Sequence, residues 1–288
     1  MSDLSLMDEV EERLGRLDIP FNALGLDPYG VSQPHVRRFM FLMGLFYRHY
    51  FRVRTYGLEH IPPSGRVMII GNHSGGLPVD GGMVLSSMFF DKDPPRWVHG
   101  MVEKFANNWP IVSQIFSRVG QFTGLPENAV RLLEDDRALM VFPEGARGVG
   151  KLYRDRYKLV RFGTGFMRLA LQTGTPIVPV AFIGGEEALP TVYHLRTLAK
   201  LIRAPYVPVS SHLLPIPLPV ECSLHYGRPM IFEGTGSEDD WVIQKYVEEV
   251  RDSIGVLLRE GLAQRGWEVP EWAGEHAEDP AWFKRGRS

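Results

Sequence analysis

Ten residues, Gly71-Asn-His-Ser-Gly-Gly-Leu-Pro-Val-Asp80, combine one imidazole and one carboxylate in a glycine-rich stretch. Histidine takes or gives a proton near neutral pH, and a nearby carboxylate fixes its tautomer and stabilises the imidazolium. His73 and Asp80 are therefore candidates for general base and orienting acid. The same residue types also suit a plain structural role, with Asp80 capping a helix and His73 a satisfied turn residue. A second constellation follows at Pro143-Glu-Gly-Ala-Arg-Gly148. It offers Glu144 and the guanidinium of Arg147, and arginine with backbone N–H groups suits a phosphate or carboxylate oxygen. Read alone, a Glu–Arg pair at a strand end is equally a structural device.

Both constellations need a scaffold that delivers them. Val67-Met-Ile-Ile70 reads as a strand and Gly81–Phe90 as a helix, so the first turn joins the two. Such a turn sets backbone N–H groups and a helix dipole beside whatever reacts there. Strands are also expected at Trp97–Val102, Val119–Phe122, Ala138–Phe142 and Pro176–Ile183. Helices are expected at Asn108–Arg118, Pro126–Leu133 and Gly165–Thr173. This alternation predicts an α/β fold with a mostly parallel central sheet flanked by helices. Residues 189–220, rich in Pro, Leu and Tyr, break the rhythm and read as an insertion or lid over an apolar site. Ser237-Glu-Asp-Asp240 resembles a capping box that starts a core-packing helix with Ile243, Val247, Val250, Ile254 and Leu258 at helical spacing. The tail from Gly266 mixes charge with Trp267, Trp272 and Trp282 and is assigned no chemistry.

Near the N-terminus, residues 36–54 form an amphipathic pattern. Arg37, Arg38, Arg48, His49 and Arg52 gather opposite a face rich in Phe, Tyr and Met. That arrangement suits a helix lying in a bilayer interface, and equally a core helix whose arginines face water. The division expected is an N-terminal helical, membrane-interface segment (1–56), an α/β core (57–235), and a packing helix with a polar tail (236–288).

Asn72-His73 with a following Asp, Phe142-Pro-Glu-Gly-Ala-Arg147 and Ile177-Val-Pro-Val180 occur in that order on successive strand ends. Together they resemble the lysophospholipid and glycerol-phosphate acyltransferase superfamily over roughly residues 57–235. Glu127–Leu133 and Gly184-Gly-Glu-Glu187 are closer to its mono- and diacylglycerol acyltransferase-like branch. The resemblance implies acyl transfer from acyl-CoA or acyl carrier protein, as co-substrate, to a glycerolipid hydroxyl, with no further cofactor. It implies His73 as base, Asp80 as its partner, Glu144, Gly145 and Arg147 at the acceptor, Lys104 as a further phosphate contact, and Pro179 shaping the site. Two departures stand out. The family spacing is His-x4-Asp, whereas Pro78 holds that place and Asp80 lies at His-x6-Asp; a bulge at Gly75-Gly76 would restore the pair. The stretch Gly120–Pro126 lacks the family's phosphate-binding arginine, which shifts weight toward a neutral acceptor.

Composition limits the alternatives. The chain has 288 residues, 44% hydrophobic, and a net charge of −2, which argues against binding nucleic acid through bulk charge. The single cysteine, Cys222, excludes an internal disulfide and a Cys-cluster metal site, and no metal is expected at the histidines. Leu224 and Tyr226 share its face of a strand-like segment, so it reads as a buried residue in a reducing compartment. No apolar run reaches the 18 to 20 residues or so of a spanning helix. The expected location is cytoplasmic and peripheral, on the cytoplasmic face of a membrane, with membrane lipid and an acyl thioester as partners. The competing readings are a catalytically idle lipid-binding module and a nucleotide binder. The second rests on Gly145–Lys151, a P-loop mimic without its Ser or Thr. A hydrolase reading fails because Ser74 sits one position late for G-x-S-x-G.

Overall fold

A computed structural model of the chain describes residues 5–75, 79–102, 110–123, 126–201, 206–213, 216–266 and 269–280. It opens with α1 (Leu6–Gly15), started by a capping box in which Ser5 and Asp8 bond each other's backbone N–H. α2 (Gln33–Gly44) runs on into a π-helical turn, Leu45–Tyr50. Then come β1 (Arg54–Tyr56), β2 (Val67–Gly71), α3 (Val79–Phe90), β3 (Val98–Val102) and α4 (Pro110–Arg118). β4 (Gln121–Thr123), α5 (Pro126–Glu134), β5 (Ala138–Val141), α6 (Ala146–Val149) and α7 (Gly165–Thr173) follow. β6 (Ile177–Ile183) and α8 (Gly185–Ala188) lead to an excursion of β7 (Thr191–His194), α9 (Arg196–Leu201) and β8 (Pro208–Ser210). β9 (Ser223–Tyr226) and α10 (Asp240–Gln264) complete the elements.

Seven strands form one sheet in the order β1-β9-β6-β2-β5-β3-β4. Pairing is parallel from β6 across to β4, and β9 joins β6 antiparallel. Helices cover both faces. α1, α2 and α3 pack with Val67, Ile69, Val178 and Val180 on one face; α5, α7 and α10 pack with Met68, Ile70, Ile177 and Ala181 on the other. The alternation of successive strand residues between two dry faces explains why β2 and β6 read as unbroken apolar runs. After β2 the chain passes to α3 on the first face; after β5, its neighbour, it passes to α7 on the second. Adjacent strands whose connections diverge leave a crevice beyond their carboxyl ends, the favoured ligand position in an open α/β sheet.

Much of the aromatic face of residues 36–54 packs on the protein. Met40, Tyr47 and Phe51 are buried in the sheet-side core, and Phe39, Met43 and Phe46 pack against it, so the aromatic face rests on protein. Two of the arginines expected at head groups are paired instead with acids of α1, Arg37 with Glu11 and Arg48 with Glu9. The start of α10 also differs. Asp239 is its N-cap, while Glu238 bonds the N–H groups of Thr235 and Gly236 in the turn before it. Cys222 is buried in one cluster with Leu224 and Tyr226, and burial pushes its thiol up to about 12.

One consequence of this burial is measurable. His99, on β3, lies between Gly120 O, 3.2 Å from Nδ1, and the ring of Phe122, and burial pushes its pKa down to about 4. The unfolded chain binds this proton near pH 6.5 and the folded chain does not, so this contribution is present above pH 6.5 and lost as pH falls toward 4. His99→Gln keeps a donor for Gly120 but cannot titrate. Between those pH values, the wild type is expected to lose about 1.4 kcal/mol per pH unit relative to the variant, read from paired denaturant melts.

Candidate active site

His73 and Asp80 are held by different elements. β2 ends at Gly71, and the next residue, Asn72, clamps that end to β6. Its Oδ1 accepts from Phe182 N at 2.8 Å and its Nδ2 donates to Phe182 O at 3.0 Å. His73 follows directly. Asp80 lies in the first turn of α3, where the dipole favours a carboxylate, and it is fully buried. The two meet with His73 Nδ1 2.6 Å from Asp80 Oδ2. The carboxylate also accepts from Ser74 N at 2.9 Å and Gly81 N at 2.8 Å. An acceptor-only carboxylate requires Nδ1 to carry the hydrogen, which leaves Nε2 with its lone pair. The His73 side chain keeps 14% of its surface exposed and stacks on Phe142, ring centroids 4.6 Å apart. The longer spacing thus still delivers the pair. Gly75, at φ +87°, allows the turn's close approach to α8: a Cβ there would lie 2.6 Å from Gly185 O.

The second constellation turns its carboxylate inward. Glu144 is fully buried. Its Oε1 accepts from His73 N at 2.8 Å, and its Oε2 accepts from Val160 N at 2.9 Å and lies 3.5 Å from Lys151 Nζ. The carboxylate thus faces the backbone of the histidine turn and of Val160. Lys151 also lies 3.7 Å from Glu186 Oε1 and donates to Lys158 O at 2.7 Å. Burial pushes the Glu186 carboxyl up to about 7, against the pull of Lys151. The lysine of the P-loop mimic is therefore enclosed between two carboxylates.

Gly145, at φ +56°, makes the turn into α6, a backbone conformation that favours glycine. Arg147 Nε donates to Glu144 O at 3.2 Å, and its Nη1 meets Asp279 at 3.2 and 3.3 Å. Asp279 arrives on a tail that is tied back along the chain: Leu159 bonds Glu275 O and Ala277 N, and Trp272 Nε1 donates to Arg156 O. That tail was assigned no chemistry from sequence, yet it supplies a carboxylate to the loop.

Pro179 is not brought to the site. It shares the α10 face of β6 with Ile177, Ala181 and Ile183, whereas Phe142, beneath His73, packs on the opposite face. Lys104 lies outside the described residues. The N–H groups of His73 and Ser74 are engaged by Glu144 and Asp80. Ser74 is buried, and its Oγ has no hydrogen-bond partner among the described residues, which is no arrangement for a nucleophile.

Lys151, Glu186 and Asp279 were missed as members of this assembly. Glu186 carried a signal through its place in Gly184-Gly-Glu-Glu187, and Lys151 through the P-loop mimic Gly145–Lys151. Asp279 is joined to the site by chain folding alone.

Comparison with known proteins gives the assembly a context. The family described as Acyltransferase matches residues 52–183, which hold both constellations. An uncharacterized protein of Mycobacterium leprae is 32% identical over 263 residues, 86% of this chain and 69% of its own. An uncharacterized protein of Mycobacterium tuberculosis is 33% identical over 260 residues, 86% of this chain and 71% of its own. The crystal structure of the 1-acyl-sn-glycerophosphate (LPA) acyltransferase PlsC from Thermotoga maritima superposes with a TM-score of 0.51 at 18% identity. It covers 80% of this chain and 81% of that one, and shares the fold. With its strand-end constellations inside the matched region, the chain belongs to the acyltransferase family.

Proposed function

We propose that this enzyme transfers a fatty acyl group from acyl-CoA or acyl carrier protein to a glycerolipid hydroxyl at a membrane surface, with His73 as general base. The observation that carries the reading is the 2.6 Å pairing of His73 with buried Asp80 at the β2–β5 crevice. As the acceptor oxygen attacks the thioester carbon, its proton passes to Nε2. The C–O bond forms, the C–S bond breaks, and the thiolate leaves with the proton returned by the imidazolium. A thioester needs no enzyme nucleophile for this exchange. A positioned base contributes about 10²–10⁴-fold. Glu144 supports the step by holding the backbone of His73 in place. A fatty chain adds about 0.8 kcal/mol of binding per buried CH₂.

The pairing of Arg147 with Asp279 favours a neutral acceptor, a mono- or diacylglycerol, because a phosphate would have to compete with a carboxylate already in position. Asp279→Asn releases that competition. It is expected to lower the KM for lysophosphatidate relative to monoacylglycerol by about tenfold, the scale of one charge-assisted hydrogen bond. An unchanged ratio would assign acceptor phosphate to other residues.

The deciding experiment offers the purified protein acyl-CoA or acyl carrier protein thioester with lysophosphatidate, lysophospholipid, monoacylglycerol or diacylglycerol in turn. Released thiol is followed and the lipid product weighed. Acceptor-dependent thiol release is expected. No turnover with any of them, or full turnover in His73→Ala, would sink the reading.

A further inference from the structure

The segment after α10 is a strap with two unlike halves. Residues 272–275 are tied by backbone and apolar contact. Gly274 N donates to Tyr157 O and Leu159 N to Glu275 O, both at 2.8 Å, and Ala273 is fully buried in the α10-side core. Gly274, at φ +73°, passes so close to α10 that a Cβ there would lie 2.5 Å from Gly255 O. Residues 276–279 instead span a cavity of about 490 Å³, lined by Arg161, Gln244, Glu248, Arg251 and the strap itself. One backbone bond, Ala277 N to Leu159 O at 2.8 Å, and charged side chains hold this half.

The outer end of the charged half is Asp279 on Arg147, and its inner end is His276. Two carboxylates of α10 flank the His276 ring. Glu248 Oε2 lies 3.3 Å from Nδ1, and Asp252 Oδ1 lies 2.9 Å from Nε2. The other charged groups around the cavity are Arg251 of α10, 3.1 Å from Glu248, Arg161 after Leu159, and Glu278 and Asp279 of the strap. An imidazolium has a hydrogen on both nitrogens and suits both carboxylates. A neutral ring must turn a lone pair toward one of them. The side chain is 40% exposed, so its proton exchanges with solvent.

We propose that residues 276–279 form an autoinhibitory latch. Protonated His276 fastens the strap to α10 and keeps Asp279 on Arg147, and loss of that proton loosens both. The latch governs how readily a phosphate monoester on the acceptor reaches Arg147, so acceptor preference shifts toward phosphate as pH rises. This last step rests on the acyl-transfer reading; the fastening does not, and it is measured without donor or acceptor.

Amide exchange at Ala277 reads the fastening in the full chain. Wild type, His276→Gln and His276→Arg are compared at about pH 6 and about pH 8, across the range in which histidine changes charge. At the lower pH, His276→Gln is expected to lose about threefold in protection, the scale of a partly exposed ion pair. At the higher pH it should match wild type, while His276→Arg keeps a cation between the two carboxylates and stays fastened. Turnover reads the consequence. At the lower pH, His276→Gln should lower the KM for lysophosphatidate relative to monoacylglycerol by about threefold, and leave it unchanged when Asp279→Asn is already present. Comparing variants at one pH removes the ionisation of the acceptor phosphate itself. Equal protection in wild type and His276→Gln at the lower pH, or a loss of the same size at both, would overturn the latch. Altered protection with an unaltered KM ratio would overturn its control of the acceptor. Altered protection with no turnover on any acceptor would establish the latch and remove the acyl-transfer reading.

Discussion

Replacing His73 by glutamine is expected to lower kcat by about 10²–10⁴-fold, with KM for the thioester nearly unchanged. The residue also donates to buried Asp80, so a moderate loss of thermal stability should accompany the loss of activity. Asp80→Asn tests the other half of the pair. An asparagine amide can donate to Nδ1, which would move the histidine's hydrogen to Nε2 and remove the lone pair needed to accept the acceptor's proton. A loss of kcat of the same order is expected, together with some loss of stability, because Asp80 also accepts from Ser74 and Gly81. Acceptor-dependent thiol release measures both variants. An Asp80→Asn enzyme with full activity would show that Asp80 holds the turn and does not set the tautomer.

Lys151→Met is expected to produce the largest stability loss of any single substitution at the site, about 3–5 kcal/mol. Methionine fills much the same volume but leaves Glu144 and Glu186 buried without their shared cation. Glu186 already holds its proton up to about pH 7; removing Lys151 pushes that carboxyl higher still. A carboxyl protonated in the folded state and ionised in the unfolded one contributes stability that is present at low pH and lost as pH rises through the folded value. The deficit of Lys151→Met should therefore be smaller at pH 5 than at pH 7. Adding Glu186→Gln should recover part of it, and a denaturant double-mutant cycle measures the coupling. Activity should fall along with stability, since Glu144 binds the backbone of His73.

These two sites differ in how far they were legible in the sequence. The apolar runs of β2, β5 and β6 and the helical spacing of α7 and α10 are local patterns, and they placed the parallel core to within a residue or two. His73 and the Glu144–Arg147 turn were legible because each follows a strand end, and Asp80 because it opens the next helix, where chemistry concentrates in such folds. What the side chains do there was less legible. Glu144 looked like a ligand for substrate because spacing cannot reveal burial. Pro179 was expected at the site because the Ile177-Val-Pro-Val180 motif of the resemblance contains it, but period-two geometry sends it to the face opposite Phe142. The helix at 36–54 was ambiguous for a physical reason: an amphipathic face buried against protein and one buried in lipid have the same residues. In the fold, Glu9 and Glu11 of α1 stand opposite Arg48 and Arg37, a pairing that the local pattern does not carry. Asp279 was invisible from sequence because 132 residues separate it from Arg147.

The separate anchoring of the imidazole and its carboxylate has a consequence for recognising such enzymes. One is fixed by the end of a strand and the other by the start of a helix, so the number of residues strung between them is not what sets their distance. Pattern searches that fix that number will pass over chains in which the link has lengthened or shortened while the pair has stayed together. A better detector would ask for a buried acid in a helix's first turn beside a histidine leaving the preceding strand, whatever the count between them.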